Sequence, residues 1–217
     1  MAEQDDWILY PHTRLDNATM EERARTFYQE LDGRRTVRRF SSDPVSQSVI
    51  QACVAASSTA PSGAHRQPWH FVAVRDPDTK TQIRHAAEAE ERRNYETRFP
   101  DAWKEALEPF GTDADKPYLE NAPWLIAIFA QNSGTQGKNY YVTESVGLAT
   151  GILIAALHRA GLVCVTHTPS PMKFLKDILE RPSSERAYLL LAVGHPAPGV
   201  KVPDLQRKPL GEVLTVK

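Results

Sequence analysis

Three guanidinium groups and a hydroxyl lie within five residues near the start of the chain, and together they could bind a phosphate. Arg34, Arg35, Thr36 and Arg38 form this basic run. Arginine binds phosphate through bidentate, charge-assisted hydrogen bonds, and a neighbouring hydroxyl can add another. A solvated basic turn would have the same composition, so the run by itself leaves both interpretations open.

A second candidate is the loop TAPSGAH at 59–65. Pro61 and Gly63 predict an irregular backbone, and its small residues allow close approach to a flat ligand. Ser62 offers a hydroxyl, and the amides near Gly63 and Ala64 offer hydrogen-bond donors. An ordinary surface loop fits the same residues equally well.

Two hydroxyls follow a predicted strand at Thr166, His167 and Thr168, directly before Pro169. A hydroxyl at a strand end is well placed to hydrogen-bond the edge of a cofactor. A turn that caps itself before proline is an equal alternative. Arg207, in the tail segment PDLQRKP, is a further cation that on its own indicates only a solvated side chain.

A third group could hold a free amino acid. Glu91 and Tyr95 are four residues apart, so a helix would place them on one face. With Lys116, they offer an anion for an ammonium group, a cation for a carboxylate and a phenol. Composition alone favours a charged, solvated helix face.

These groups must be positioned by one substantial domain over 1–217, because the chain is too short for two full ones. Apolar periodicity and turn signals predict an α+β fold, with helices around a small central sheet. Residues 1–20 are predicted to form an irregular arm, and the proline-rich tail 196–217 is predicted to be extended. The predicted helices are 20–31, 45–56, 79–95 and 140–160, with another opened by Ser170 and Pro171, and the predicted strands are 69–74, 124–130, 162–166 and 187–193.

Composition excludes several classes of protein. The net charge of −1 argues against a nucleic-acid binder, which usually carries a large basic excess. Cys53 and Cys164 have no metal-ligand spacing, so no metal site is predicted and both are expected to be reduced thiols. The polar N-terminus predicts no signal peptide, and the apolar stretch 147–165 is interrupted in a way that favours a buried helix. A soluble, cytoplasmic protein with no membrane partner is expected.

Taken together, these segments resemble the iodotyrosine deiodinases, a branch of the FMN nitroreductase superfamily. The resemblance covers about 33–214, nearly the whole chain. Seven pieces in the same order carry it: RRTVRRF, TAPSGAHRQPWHFVAVRDPD, AEAEERRNY, KPYLENAPWLI, NYYVTESVGLATGILIAALHRAGLV, THTP and VPDLQRKPL.

The resemblance implies a nitroreductase-like fold with a mostly antiparallel sheet, an intertwined homodimer in which the tail lies on the partner, and FMN at the interface. Segment 88–118 would be an active-site lid in which Glu91, Tyr95 and Lys116 hold the substrate zwitterion. The Ala64 amide would meet the substrate's phenolate oxygen, and Thr168 would hydrogen-bond flavin N5. The other residues implied to bind FMN are Arg34, Arg35, Thr36, Val37, Arg38, Ser62, Gly63, Thr166, His167 and Arg207.

The implied activity is reductive dehalogenation of halotyrosines to tyrosine and halide by reduced FMN in one-electron steps, with Thr168 and Ala64 as catalytic groups. NAD(P)H, a flavin reductase or a ferredoxin would donate the electrons. The alternatives are a general NAD(P)H-dependent nitroreductase or quinone reductase and, from another class, a non-catalytic flavoprotein that binds tyrosine derivatives. His167 stands where the family usually has Thr, and the sequence lacks the membrane anchor of the animal enzymes, which suggests a soluble, bacterial-type form.

Overall fold

The computed structural model describes residues 7–135 and 137–217. The chain divides into two compact units, one ending at Arg34 and one spanning Arg35–Lys217. The single domain expected over 1–217 therefore stays a prediction.

The first unit contains helix α1, Asn17–Asp32. The helix begins three residues before the predicted start because Asp16 caps it: the Thr19 amide donates to Asp16 Oδ1 at 2.9 Å. The irregular arm predicted for 1–20 is therefore wrong for 17–20, and its first six residues lie outside the described part of the chain. Gly33 follows the last helical residue, as the sequence predicts.

The second unit is built on a four-stranded sheet in which every neighbouring pair is antiparallel. Its strands lie in the spatial order β1-β2-β6-β5, so the last strand of the chain lies in the interior of the sheet. This confirms the predicted small antiparallel sheet. The strands are β1 (Trp69–Val74), β2 (Trp124–Gln131), β5 (Val163–His167) and β6 (Glu185–Gly194), and a separate hairpin pairs β3 (Ser133–Gly134) with β4 (Gly137–Lys138).

Helices cover both faces of the sheet, and β2 shows why. Ile126 and Ile128 point into one hydrophobic cluster, whereas Leu125, Ala127 and Phe129 point into the other. A strand buried on both faces must be apolar at consecutive positions, which explains its uninterrupted hydrophobic run. The first cluster includes residues of α2 (Gln47–Ser57) and α6 (Val142–Arg159), and the second includes residues of α3 (Pro77–Arg93), α5 (Tyr118–Asn121) and α7 (Lys173–Ile178).

Segment 88–118, the predicted lid, contains the end of α3 and several short elements. A π-helical turn, Asn94–Arg98, continues directly from α3. Helix α4 (Asp101–Leu107) and a 3₁₀ turn (Glu108–Phe110) follow before the chain returns towards α5. The predicted helix 79–95 therefore exists, but its last residues widen into the π turn.

Two predictions near the C-terminus are wrong in detail. Ser170 and Pro171 do not open a helix: the peptide bond between them is cis and α7 begins at Lys173. The Ser170 carbonyl instead accepts a hydrogen bond from Arg98 of the lid at 3.3 Å, a contact that local sequence does not encode. The tail is irregular from Val200 to Pro209, but Leu210–Val213 forms a short helix, α8, so it is not extended throughout.

Within the part of the chain that the structure describes, no helix combines the length and apolar character needed to span a membrane.

Candidate functional site

The structure brings together the three residues predicted to hold an amino acid. Glu91 lies on α3, Tyr95 on the π turn and Lys116 just before α5. Lys116 Nζ is 3.6 Å from Glu91 Oε2, and the two side chains are only 4% and 10% exposed. The same nitrogen is 5.7 Å from the centre of the Tyr95 ring. These three residues are called the lid cluster below.

Thr112 joins two members of the lid cluster. Its Oγ1 lies 3.1 Å from Lys116 Nζ, and its carbonyl accepts a hydrogen bond from the Tyr95 hydroxyl at 3.0 Å. Lys116 Nζ also donates to the Asp113 carbonyl. An ammonium group has three N–H donors, and its hydrogen bonds to Thr112 and Asp113 use two of them, while Glu91 lies at ion-pair distance. A substrate carboxylate would compete with these partners for Lys116.

Burial shifts both charged groups of the lid cluster towards neutrality. It raises the pKa of Glu91, and the nearby Lys116 opposes this rise. Burial likewise lowers the pKa of Lys116, and Glu91 opposes that fall. The charge of Arg38 lowers the pKa of Lys116 further. The charge of Arg38 therefore acts on Lys116 in the same direction as burial.

The end of β5 separates its side chains onto two faces. Thr166 and Thr168 are exposed, whereas His167 between them is 5% exposed. His167 Nδ1 lies 3.1 Å from the Tyr118 hydroxyl, and burial together with the charge of Lys116 lowers the pKa of His167 to about 3. The imidazole is therefore neutral. A cofactor contact predicted for His167 would fall to its backbone, because its side chain packs away from the two threonines.

The basic run lies beside β5. Thr36 and Cys164 form an isolated parallel bridge, and the Val37 amide donates to the Cys164 carbonyl at 3.2 Å. Because Thr36 pairs two residues before Thr166, the run and the strand end share one edge of the second unit. Val37 is buried, so a cofactor contact by this residue would also fall to the backbone.

The remaining cations of the predicted phosphate site have different surroundings. Arg35 donates from its guanidinium group to the Pro203 carbonyl, which holds the tail close to the basic run. Arg207 lies four residues further along, in an exposed part of that tail. Arg34 is the last residue of the first unit, where its amide donates to the Leu31 carbonyl at 3.1 Å.

The loop 59–69 has an unusual backbone. Ala64, His65 and Gln67 have φ angles of 51°, 55° and 47°, in the left-handed region that non-glycine residues seldom adopt. The Gln67 amide donates to Ser62 Oγ at 2.9 Å, which helps to fix this course. Residues held in sparsely populated backbone regions cluster at ligand sites. Among the described contacts, none joins Ser62, Gly63 or Ala64 to the lid cluster.

The sequence did not single out three supporting residues: Glu88 and Arg84 beside the lid cluster, and Tyr118 beside the end of β5. The Lys116 amide donates to Glu88 Oε1 at 2.7 Å, and Arg84 donates to the same oxygen at 2.7 Å. Tyr118 packs edge-on against His167 with ring centres 5.8 Å apart. A charged helix looks solvated from its composition, so only the position of Glu88, one turn before Glu91, could have signalled a shared face.

Comparisons with known proteins identify the family to which the chain belongs. The nitroreductase family model matches residues 31–195. The iodotyrosine deiodinase of Haliscomenobacter hydrossis is 51% identical over the full length of both chains. Iodotyrosine deiodinase 1 of Rattus norvegicus is 46% identical over 98% of this chain and 76% of its own.

Solved structures give the same result. An oxidised iodotyrosine deiodinase bound to FMN and 3-iodo-L-tyrosine aligns with a TM-score of 0.79 at 32% identity, covering 88% of this chain and 97% of that one. A nitroreductase with bound FMN from Bacteroides fragilis aligns with a TM-score of 0.66 at 18% identity, covering 88% and 98%, and this likeness concerns the fold alone. The nitroreductase-like fold expected from the sequence is confirmed.

Proposed function

The chain belongs to the nitroreductase family and groups within it with the iodotyrosine deiodinases, and from this we propose that it is an FMN-dependent oxidoreductase that converts halotyrosines to tyrosine and halide. The observation that carries the proposal is the lid cluster. Its buried carboxylate and ammonium, with the half-buried Tyr95 ring beside them, complement the ammonium and carboxylate of a tyrosine-like zwitterion.

The residues present fit FMN. Thr36 and Arg38 lie along the edge that ends in the exposed Thr166 and Thr168, so phosphate donors and cofactor-edge donors occur side by side. Arg35 would serve the phosphate with Arg38, and Arg207 would complete the cationic set of the second unit. Ser62 and Gly63 would contact the flavin rings, and the Thr168 hydroxyl would donate to N5. FMN, when bound, supplies the reducing electrons.

The lid cluster would hold the amino-acid end of the substrate. Lys116 would pair with the substrate carboxylate, Glu91 with its ammonium group, and Tyr95 would pack against the same end. These charges are nearly excluded from water, which strengthens their interaction with a zwitterion. Substrate would exchange with the internal partners of Lys116, so the lid must loosen and close again in each cycle.

Ala64 would act at the phenol end. Its left-handed backbone, with φ of 51° and ψ of 31°, turns the peptide chain within the loop 59–69. An amide that donates to the phenolate oxygen lowers the pKa of the halophenol and fixes the ring over the redox centre. Replacing halogen by hydrogen takes up two electrons and one proton and releases halide, and we propose that the electrons arrive singly.

A homodimer would complete the site. On α6, Tyr141 at the N-terminal boundary and Leu148 within the helix are 71% and 52% exposed, although the other face of this helix is core. Exposed large apolar groups favour burial against a second copy of the chain. Sedimentation that finds a monomer with FMN still bound would contradict this proposal.

The two cysteines are buried and form no disulfide with each other, which fits a reducing cytoplasm. NAD(P)H, a flavin reductase or a ferredoxin would donate the electrons.

The zwitterion role is tested by replacing Lys116 or Glu91 with Gln. Each variant should weaken binding of 3-iodotyrosine to the oxidised holoenzyme about ten- to a hundredfold, because a hydrogen bond to a charged group is lost at a buried site. FMN should stay bound in both. The measurement is titration of flavin fluorescence with ligand.

A matched control is Lys104→Gln, which changes a lysine of the same lid whose ammonium lies 3.7 Å from Asp101 and whose side chain is 39% exposed. This variant should bind 3-iodotyrosine like the wild type. Unchanged affinity in both the Lys116 and Glu91 variants would sink the zwitterion role.

A further inference from the structure

A network of charged side chains docks the segment that carries Lys116 onto α3. Arg84 joins two carboxylates: its Nε donates to Glu88 Oε1 at 2.7 Å and its Nη1 donates to Glu120 Oε2 at 2.8 Å. Lys80 Nζ donates to the carbonyls of Glu120 and Ala122 at 2.8 and 2.9 Å. Lys80, Arg84, Glu88 and Glu120 are called the brace below.

Glu88 is the member of the brace that touches the lid cluster. Its Oε1 accepts the backbone amide of Lys116 at 2.7 Å, and the residue is 6% exposed. Burial acts to raise the pKa of Glu88, but the hydrogen bonds from Arg84 and the Lys116 amide oppose it, and the pKa lies below its ordinary value. Glu88 is therefore an ionised, almost fully buried acceptor.

Glu88 and Glu91 contact opposite ends of Lys116. They stand three positions apart on α3, which places both carboxylates on the same helix face. Glu88 holds the main chain of Lys116, whereas Glu91 lies 3.6 Å from its ammonium group. The separation between the two charges that would meet a substrate zwitterion therefore depends on where Glu88 anchors the Lys116 backbone.

We propose that Glu88, held by Arg84, is a positioning residue that sets the specificity of the lid cluster for free α-amino acids bearing a halophenol. The inference rests on the proposed function. Glu88 reaches no substrate atom itself: it fixes the distance between the ammonium of Lys116 and the carboxylate of Glu91. Binding of a ligand that lacks the amino-acid end does not depend on this distance.

The test compares two ligands in FMN-loaded Glu88→Ala and Glu88→Gln enzymes. One is 3-iodotyrosine, followed by its dissociation constant with the oxidised holoenzyme. The other is 2-iodophenol, which has no ammonium or carboxylate, followed by its reoxidation of the reduced flavin. Glu185→Gln is the matched control, because Glu185 is also buried and pairs with an arginine four residues earlier, Arg181, at 2.7 Å.

Glu88→Ala should raise the dissociation constant for 3-iodotyrosine about tenfold, because the buried Lys116 amide loses the carboxylate that accepts its hydrogen bond. Glu88→Gln should raise it less, since its amide oxygen can still accept from Lys116. The rate with 2-iodophenol should stay within about twofold of the wild type in both, and Glu185→Gln should change neither quantity.

Equal losses with both ligands would overturn the proposal, because they would indicate a general structural role. Unchanged affinity for 3-iodotyrosine would overturn it as well. If Glu88→Ala fails to fold, Glu88→Gln carries the comparison by itself. A wild-type holoenzyme that does not bind 3-iodotyrosine would instead count against the proposed function, so the two failures are distinguishable.

Discussion

At the scale of single residues, the buried His167 makes the stability of the fold depend on pH. Its ring is 5% exposed, and within the described part of the chain its Nε2 has no hydrogen-bond partner. Tyr118 contacts the other nitrogen at 3.1 Å, and the charge of Lys116 adds to the effect of burial. The folded pKa of about 3 lies below the ordinary value of 6.5.

The stability of the fold should therefore fall as the pH drops below about 6.5. Between the two pKa values, His167 is protonated in the unfolded chain and neutral in the folded chain, so protonation favours unfolding. The contribution of His167 to the free energy of unfolding is fully present above the unfolded pKa. It is lost as the pH falls, by up to about 1.4 kcal/mol per pH unit. Urea unfolding of the wild type from pH 7.5 to 5 measures this slope.

His167→Asn should flatten the slope, because asparagine keeps a polar partner for Tyr118 and does not titrate. The control is His85→Asn, which changes an exposed histidine on α3 and should keep the wild-type slope. Equal slopes in the wild type and the His167 variant would refute this account of His167.

The sequence predicted the lid cluster but not the residues that support it. Glu91, Tyr95 and Lys116 followed from helical spacing and a family resemblance, and the structure places them together. Glu88 has the same side chain as Glu90 and Glu91 in a charged helix, so composition could not distinguish it. Its burial arises from contact with a segment 28 residues away, which local sequence does not encode.

At the scale of elements, the loop 59–69 meets the start of α6. A β-carbon built at Gly63 would lie 2.8 Å from the Tyr141 ring and 3.1 Å from the Tyr140 carbonyl. Only glycine allows this approach, since any larger residue must push the loop away from the helix. This contact fixes the backbone at Gly63, from which the residues with left-handed backbone angles follow.

Gly63→Ala should weaken retention of FMN and destabilise the fold by about 1–3 kcal/mol, the usual cost of forcing an extra carbon into a packed site. Thermal melting of the FMN-loaded enzyme and the flavin lost on gel filtration measure the two effects. Gly211→Ala is the control, because a β-carbon there meets nothing within 4 Å. Full flavin retention in Gly63→Ala would contradict the role given to this contact.

Elements defined by strong local patterns were predicted best. Strand β1 occupies the predicted residues, and β2 extends one residue further, because turn signals bound both apolar runs. Gly161, with φ of 78°, ends the α6 region as expected. The start of α7 was missed because Ser170 and Pro171 are also consistent with a loop, and the carbonyl that meets Arg98 of the lid lies far away in sequence.

At the scale of the whole molecule, the proposed flavin residues that lie within the second unit come from four separate segments of it. The basic run and the end of β5 share one edge, and the tail reaches the run through Arg35 and Pro203. The loop at Ser62 approaches α6 instead. The α+β class and the small central sheet followed from periodicity. The antiparallel pairing and the grouping of the proposed flavin residues came only from the family resemblance, because both depend on contacts between residues far apart in the chain.

The central claim is that the reduced enzyme removes halide from halotyrosines. An anaerobic single-turnover experiment tests it: the FMN-loaded protein is reduced chemically and mixed with 3-iodotyrosine, and flavin reoxidation is followed together with tyrosine and iodide. Prompt reoxidation with one tyrosine and one iodide released for each flavin is the predicted result. A flavin that stays reduced with 3-iodotyrosine but is reoxidised by a nitroaromatic compound would contradict the claim and favour a general nitroreductase.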